Sequence, residues 1–241
     1  MGVGSTTFPM MNPENRTPLW LRVAVRGLAG LGAIAATLFG LAGRLDWPAA
    51  WFFVALLALY LCFGSWWFVR HDPELLEERM TSAPNVPHWD RLLVRGYWIL
   101  LPTVFVTAAL DAGRYQWSAM PVLVQAFGAA ALMAACIVIW WCTAANHFLS
   151  SNARIQSERG QRVVQHGPYR FVRHPMYTSL IVLMIGMALI LGSWLATIPA
   201  VLIAILLVVR TSFEDRMLQT ELAGYRDYAN RVRERLLPGV W

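Results

Sequence analysis

Long apolar runs dominate the pattern of this chain. Six of them alternate with polar segments, at approximately 19–43, 48–69, 92–110, 118–145, 175–191 and 194–209. Crossing the hydrocarbon core takes about 20 apolar residues and at least about 17, so the runs predict membrane helices. The last two are near the lower limit and are separated only by Gly192 and Ser193, which predicts a tight helical hairpin. The pattern therefore predicts an all-α integral membrane bundle of about six transmembrane helices with a cytoplasmic C-terminal helical segment.

The polar segments divide the chain into three parts. Residues 1–18 are predicted to be flexible, 19–145 to form four transmembrane helices, and 146–241 to combine a basic loop, the hairpin and an amphipathic C-terminal segment that Gly224 interrupts. The first run is interpreted as a retained helix, because it is long and no polar mature domain follows it. Small residues permit close helix packing, and the candidates for such contacts are Gly27, Gly30, Gly40 and Gly43.

Composition and charge agree with a membrane protein. Charged residues make up 14% of the chain, whereas soluble domains carry about 25%. The net charge is +6, and all the lysine-or-arginine positions are arginine, since the chain has no lysine. These arginines lie between the apolar runs, which indicates contact with lipid headgroups and not with nucleic acid. If the N-terminus is cytoplasmic, only Arg44 and Arg114 fall outside, so the positive-inside rule predicts both termini and the basic loop in the cytoplasm, most simply of a bacterial inner membrane.

The cysteines do not indicate a metal site. Cys62, Cys136 and Cys142 all lie within apolar runs, without a C-x-x-C pair or a zinc-like spacing to histidine. We therefore interpret them as buried small hydrophobes and predict no metal.

Two predicted cytoplasmic segments, 154–177 and 210–228, combine residues with chemical potential. Arg210 and Glu214 are four residues apart, which places them on one helix face, and an ionisable pair at the end of a span is a functional candidate. Each residue taken alone is compatible with an ordinary membrane boundary. The sequence groups four other candidates around one turn on the other segment: Gln156, Arg173, His174 and Tyr177.

The order of these motifs resembles a known family. GPYRFVRHPMY, a short hairpin, and then R-x-x-x-E-D…G-Y-x-x-Y-x-x-R-V…L-P resemble the isoprenylcysteine carboxyl methyltransferases, which belong with the membrane phospholipid methyltransferases. The resemblance covers about 146–238, and the stretch RHDPELLEER resembles bacterial members of the family. It implies a methyltransferase that uses S-adenosyl-L-methionine and acts on a lipophilic small molecule or lipid.

The resemblance also implies roles for individual residues. Arg210 would contact the acceptor, and Arg210, Glu214 and His174 would be the catalytic candidates. Asp215 stands where the family commonly has a second glutamate, so its role stays open, as does that of His147. The cofactor would be bound by Gln156, Gln161, Arg162, Val163, Val164, Tyr169, His174, Pro175, Met176, Tyr177 and Glu214.

Several alternatives remain open at this stage. A carboxylate acceptor is already an anion and needs no base, whereas an amine or a thiol must lose a proton, for which His174 is the candidate base. An NADPH-dependent reductase of the sterol reductase kind would share the Arg-His-Pro turn, but tends to have asparagine where Met176 stands. A non-catalytic membrane sensor is a third possibility, and the oligomeric state is open. The acidic stretch Glu74, Glu77, Glu78 with Arg79 predicts mainly a solvated helical face.

Overall fold

The computed structural model describes residues 17–81 and 85–241, so the predicted flexible segment lies almost wholly outside the described residues. In the described part all regular structure is helical, as predicted. The α-helices are α1 (Leu19–Ala42), α2 (Pro48–His71), α3 (Pro73–Met80), α4 (His88–Ala108), α5 (Val122–Ala145), α6 (Pro175–Ile190), α7 (Thr197–Glu221) and α8 (Tyr225–Arg231).

Five helices are long and apolar enough to cross a membrane. They are α1, α2, α5, α7, and α4 together with a π-helical extension, Ala109–Tyr115. The sixth, α6, is apolar but has only 16 residues. Five candidate spans and one shorter apolar helix confirm the predicted bundle of about six.

The last long helix extends further than the apolar pattern predicts. The sixth run was expected to end near residue 209, yet α7 continues to Glu221. The reason is burial: Thr211, Asp215 and Met217 pack inside the protein, so the polar residues meet protein and do not end the helix. Gly224 has φ 79° and separates α7 from α8, which confirms the expected interruption.

The closest helix contact joins α5 and α6 at glycines that the sequence did not single out. A Cβ on Gly128 would lie 2.5 Å from Leu189 Cβ, and one on Gly186 would lie 3.1 Å from the Gly128 carbonyl oxygen. The expected close contacts at Gly27, Gly30, Gly40 and Gly43 are wrong, because no atom lies within 4 Å of a Cβ at any of them. Gly43 instead ends α1 in the left-handed conformation, with φ 68°.

Polar contacts hold both ends of the bundle. At one end, Asp111 Oδ2 accepts hydrogen bonds from Ser118 Oγ and from Ser193 Oγ, each at 2.6 Å, which fastens the α6–α7 hairpin to the end of α4. At the other end, α4 and α6 begin and α5 and α7 finish. The loop that follows α5 and the C-terminal segment meet there, and the candidate site lies between them.

Candidate active site

A cavity of about 310 Å³ lies at this second end of the bundle. Its wall comes from the loop after α5, the first turns of α6, the last half of α7 and helix α8. The two segments singled out in the sequence, 154–177 and 210–228, therefore face one common cavity.

Nearly all the residues implied by the resemblance line this cavity. Pro175 is the exception: it is buried at the first position of α6, where proline needs no hydrogen-bond partner for its nitrogen. It starts the helix and does not face the space. The lining residues from the predicted set are Gln156, Gln161, Arg162, Val163, Val164, Tyr169, His174, Met176, Tyr177, Arg210 and Glu214.

Glu214 and Arg210 meet at Tyr177. The Tyr177 hydroxyl donates a hydrogen bond to Glu214 Oε2, and the Arg210 guanidinium lies 5.5 Å from the centre of the Tyr177 ring. The pair on α7 and the first turn of α6 thus form one contiguous polar surface. A carboxylate and a cation side by side can contact a ligand that carries both charges.

A buried carboxylate from α4 holds Arg210. Arg210 Nε donates to Asp90 Oδ1 at 2.8 Å, and Nη2 donates to the Ser151 carbonyl at 3.0 Å. Asp90 is completely buried and also accepts from the Ala153 backbone N–H at 3.0 Å. Two of the five guanidinium N–H groups are therefore used by the protein, and the remaining ones, on Nη1 and Nη2, can donate to an acceptor.

His174 is held away from the role of a free base. Its Nε2 lies 3.2 Å from Asp215 Oδ1 and 3.3 Å from the Tyr225 hydroxyl, and its ring is 5% exposed. Burial, reinforced by the charge of Asp215, raises the pKa of the Tyr225 hydroxyl, so this group remains a neutral donor. The carboxylate of Asp215 and the hydroxyl of Tyr225 thus fix the orientation of the imidazole ring.

Asp215 is the centre of an ion-pair cluster behind the cavity wall. It is completely buried and accepts from Arg173 Nε at 2.8 Å and Nη2 at 3.1 Å, and from Arg235 Nε at 3.0 Å. Gln219 Nε2 donates to the same carboxylate at 2.8 Å. The aspartate at this position therefore joins the Arg-His-Pro turn to α7 and to the C-terminal segment, and it does not line the cavity.

The C-terminal segment, defined as residues 232–241, lies against the same turn. The backbone N–H groups of Arg173 and His174 donate to the carbonyls of Glu234 and Arg235 at 2.9 and 2.8 Å. Thr178 Oγ1 donates to the Leu236 carbonyl at 2.7 Å. These bonds satisfy backbone groups that would otherwise be open before α6, and they fix the turn from behind.

The loop after α5 is ordered by the amide of Gln156. Its Nε2 donates to the Phe148 carbonyl at 2.6 Å, and its Oε1 accepts from Arg159 Nη1 at 2.7 Å. The Gln156 backbone N–H donates to Gln161 Oε1 at 2.7 Å. Since both side-chain amides are used within the loop, contacts from here to a ligand would come mainly from the backbone.

Tyr169 closes the wall beside α5. Asn146 Nδ2 donates to the Tyr169 hydroxyl at 3.2 Å, and the Tyr228 hydroxyl donates to the Tyr169 carbonyl at 2.6 Å. Burial raises the pKa of the Tyr169 hydroxyl well above its ordinary value, so it stays neutral. Tyr169 provides a ring face to the cavity while its hydroxyl is held by the protein.

Helix α3 is a brace for the loop. The predicted solvated acidic face holds for Glu74 and Glu77, whose side chains are exposed, but not for Glu78, whose side chain is mostly buried. Glu78 Oε1 pairs with Arg154 at 2.8 Å, and Glu74 Oε1 pairs with Arg159 at 3.1 Å. His147 Nδ1 lies 2.7 Å from Asp72 Oδ2, so this histidine belongs to the same contact surface. The acids of α3 neutralise arginines of the basic loop across more than seventy residues of sequence.

The segment that provides most of the cavity wall matches a known protein family. Residues 123–223 match the family model described as phospholipid methyltransferase. This part of the chain is therefore similar to the phospholipid methyltransferases. The resemblance to isoprenylcysteine carboxyl methyltransferases is thereby confirmed at the level of the superfamily. A search of curated proteins finds no significant match to the chain.

The match covers most of the residues that line the cavity and the three helices α5, α6 and α7. Together with the apolar helices, it supports a multi-pass membrane methyltransferase. Outside the matched segment lie Arg79, which lines the cavity, and Asp90, which holds Arg210 without lining the cavity. Neither residue was assigned to the site from the sequence. Asp90 follows a proline-rich stretch at the start of a span, and Arg79 ends an acidic helix. The one available signal was an acid near a membrane boundary, which by itself does not specify a partner.

Proposed function

We propose that the chain is an S-adenosyl-L-methionine-dependent methyltransferase that methylates the carboxylate of a lipophilic acceptor, in the manner of isoprenylcysteine carboxyl methylation. One observation carries the proposal: the residues that the resemblance assigns to the cofactor come from two distant segments and line one cavity, in which Glu214 and Arg210 lie side by side at Tyr177. A chance set of boundary residues would have no reason to enclose a common space.

The reaction requires little besides placement. A carboxylate oxygen of the acceptor attacks the methyl carbon in line with the sulfur, the carbon–sulfur bond breaks, and its electron pair stays on the sulfur. The products are a methyl ester and S-adenosylhomocysteine. No proton moves, so alignment of the two reactants supplies most of the acceleration. Glu214 would face the positive part of the cofactor, and Arg210 would contact the acceptor anion.

Two other classes of acceptor are alternatives for the same cavity. The superfamily description favours an amine of a phospholipid as a second candidate acceptor, and a thiol is a third. Either would have to release a proton, and His174, the candidate base, already has Asp215 and Tyr225 as partners at Nε2. This arrangement favours an acceptor that is ionised before it enters. We place the cavity on the cytoplasmic face, since the arginine-rich ends of the helices gather there.

Ligand-induced stabilisation tests the proposal. Purified full-length protein in detergent is melted with S-adenosylmethionine, with S-adenosylhomocysteine and with NADPH; a ligand that binds only the folded state raises the midpoint. We expect a shift with both sulfur nucleosides and none with NADPH. Glu214→Gln should weaken this shift, while Glu221→Gln, on the exposed end of the same helix and outside the cavity, should retain it.

The opposite results would overturn the proposal. A shift with NADPH alone would indicate a reductase, and no shift with any of the three would indicate a non-catalytic protein. The acceptor is then identified by supplying S-adenosylmethionine with a labelled methyl group to membrane extract. Label in a base-labile methyl ester supports a carboxylate acceptor, whereas label in a base-stable amine or thioether contradicts it.

A further inference from the structure

Arg79 lies in the cavity wall at the end of α3, outside the segment that matches the superfamily. Its Nε donates to the Leu149 carbonyl at 2.9 Å, which fixes the side chain against the loop after α5. Its two terminal nitrogens make no hydrogen bond to any described residue. The guanidinium is therefore positioned, but the two nitrogens best suited to a carboxylate are not used.

The charge of Arg79 is not compensated by an ion pair within the described residues. Burial lowers the pKa of its guanidinium, and Asp72, which acts in the opposite direction, is already bonded to His147 and to the N–H of Leu75. Arg79 is partly buried, and even a partly buried charge without a partner is costly.

The other arginines of the cavity wall do not share this situation. Arg162 is exposed, so water solvates it. Three others have carboxylate partners, in the pairs Arg154–Glu78, Arg173–Asp215 and Arg210–Asp90. A cavity that neutralises its buried cations everywhere else and leaves Arg79 open is prepared for an anion from a ligand.

We propose that Arg79 is a binding residue for a carboxylate and that it holds the α-carboxylate of the methionyl part of the cofactor. The inference rests on the proposed function. Under that function the cofactor brings one carboxylate together with an ammonium and a sulfonium group. The cavity offers a matching pair that lines the same space, the uncompensated cation of Arg79 and the carboxylate of Glu214. A planar guanidinium with two free nitrogens suits a carboxylate in a bidentate contact.

The test compares two cofactors that differ only in the carboxylate. Binding of S-adenosylmethionine and of decarboxylated S-adenosylmethionine is measured by equilibrium titration of the full-length protein. The wild type should prefer the intact cofactor by on the order of 10- to 100-fold, the range of one charge-assisted contact. In Arg79→Gln this preference should fall to about equal affinity, and Arg79→Lys should restore part of it. Arg70→Gln removes a charge from an exposed arginine on α2, outside the cavity, and should keep the preference.

The outcomes separate the inference from the function beneath it. If the wild type binds neither nucleoside, the proposed function fails. If the wild type binds the intact cofactor but shows no preference, or Arg79→Gln keeps the preference, the function stands and Arg79 is wrongly assigned. A normal preference in Arg79→Gln together with a raised KM for the acceptor would also overturn the assignment, because the anion held there would then belong to the acceptor. A melt of the ligand-free variant verifies that it is folded.

Discussion

The pair Asp90–Arg210 allows a sharp test of how the cavity is built. Asp90 is completely buried and its carboxylate accepts from Arg210 Nε at 2.8 Å, from Ala153 N–H at 3.0 Å and from Asn152 Nδ2 at 3.4 Å. Asp90→Asn keeps the shape but removes the charge, and its amide N–H₂ would face at least one of these donors. The Arg210 side chain, only 13% exposed, would be left without its carboxylate.

The expected loss in the free energy of unfolding is large for a substitution that exchanges a single side-chain atom. Breaking a buried ion pair at one partner costs about 3–5 kcal/mol, and the retained acceptor oxygen of asparagine favours the lower end. For a protein of this size such a loss lowers the melting midpoint by roughly 6–12 °C. The matched control is Asp46→Asn. Asp46 pairs with Arg44 at the same 2.8 Å, but its side chain is 81% exposed, and exposed pairs contribute at most about 1 kcal/mol.

A double variant decides whether the two charges are coupled. In Asp90→Asn with Arg210→Gln both charges are absent, so the double variant should lose less than the sum of the two single losses. Methyl transfer to the acceptor should fall in Asp90→Asn while binding of the cofactor is retained, since Asp90 positions Arg210 and does not itself line the cavity. A midpoint equal to that of Asp46→Asn, or strictly additive losses, would refute this account of the wall.

Two further predictions concern the scaffold. Gly128→Ala should lower the free energy of unfolding by on the order of 1–3 kcal/mol, because its methyl group would lie 2.5 Å from a side chain of α6. The control Gly27→Ala, which is surrounded by open space, should melt like the wild type, and equal melting midpoints for the two variants would contradict the close crossing of α5 and α6. Removal of the C-terminal segment should abolish the stabilisation by S-adenosylmethionine while the protein still inserts into membranes, because the Arg-His-Pro turn loses its backbone partners; an unchanged ligand-induced shift would show that the turn is stable alone.

The sequence predicted those features that depend on local pattern. Apolar runs locate the spans because lipid selects long uninterrupted hydrophobic stretches, and the spacing of Arg210 and Glu214 places them on one face regardless of context. The motif around His174 indicated a turn that lines the cavity in the structure. Each of these follows from residues within a few positions of one another.

What the sequence could not provide are the partners from distant segments. Asp90 and Arg210 are 120 residues apart, and no pattern indicates which acid meets which arginine. The glycines at the close crossing, Gly128 and Gly186, look no different from Gly27, because an apolar helix facing lipid and one facing protein have the same composition. The apolar run stops near residue 209 although α7 continues to Glu221, because a polar residue can meet buried protein as well as water.

The loop after α5 shows why these distant partners matter for function. It has little regular structure, so backbone hydrogen bonds alone cannot hold it, and a loop that encloses a cavity must still be positioned to a fraction of an ångström. Ion pairs from α3 and α7 and hydrogen bonds to Asp90 of α4 supply the missing constraints. Each ion pair also removes an uncompensated charge from a partly buried wall. The same contacts therefore give shape and electrostatic balance to the cavity. Among the residues that the structure describes, the cation of Arg79 alone stays without a carboxylate partner in the partly buried wall. A carboxylate-bearing ligand would complete the network of ion pairs there.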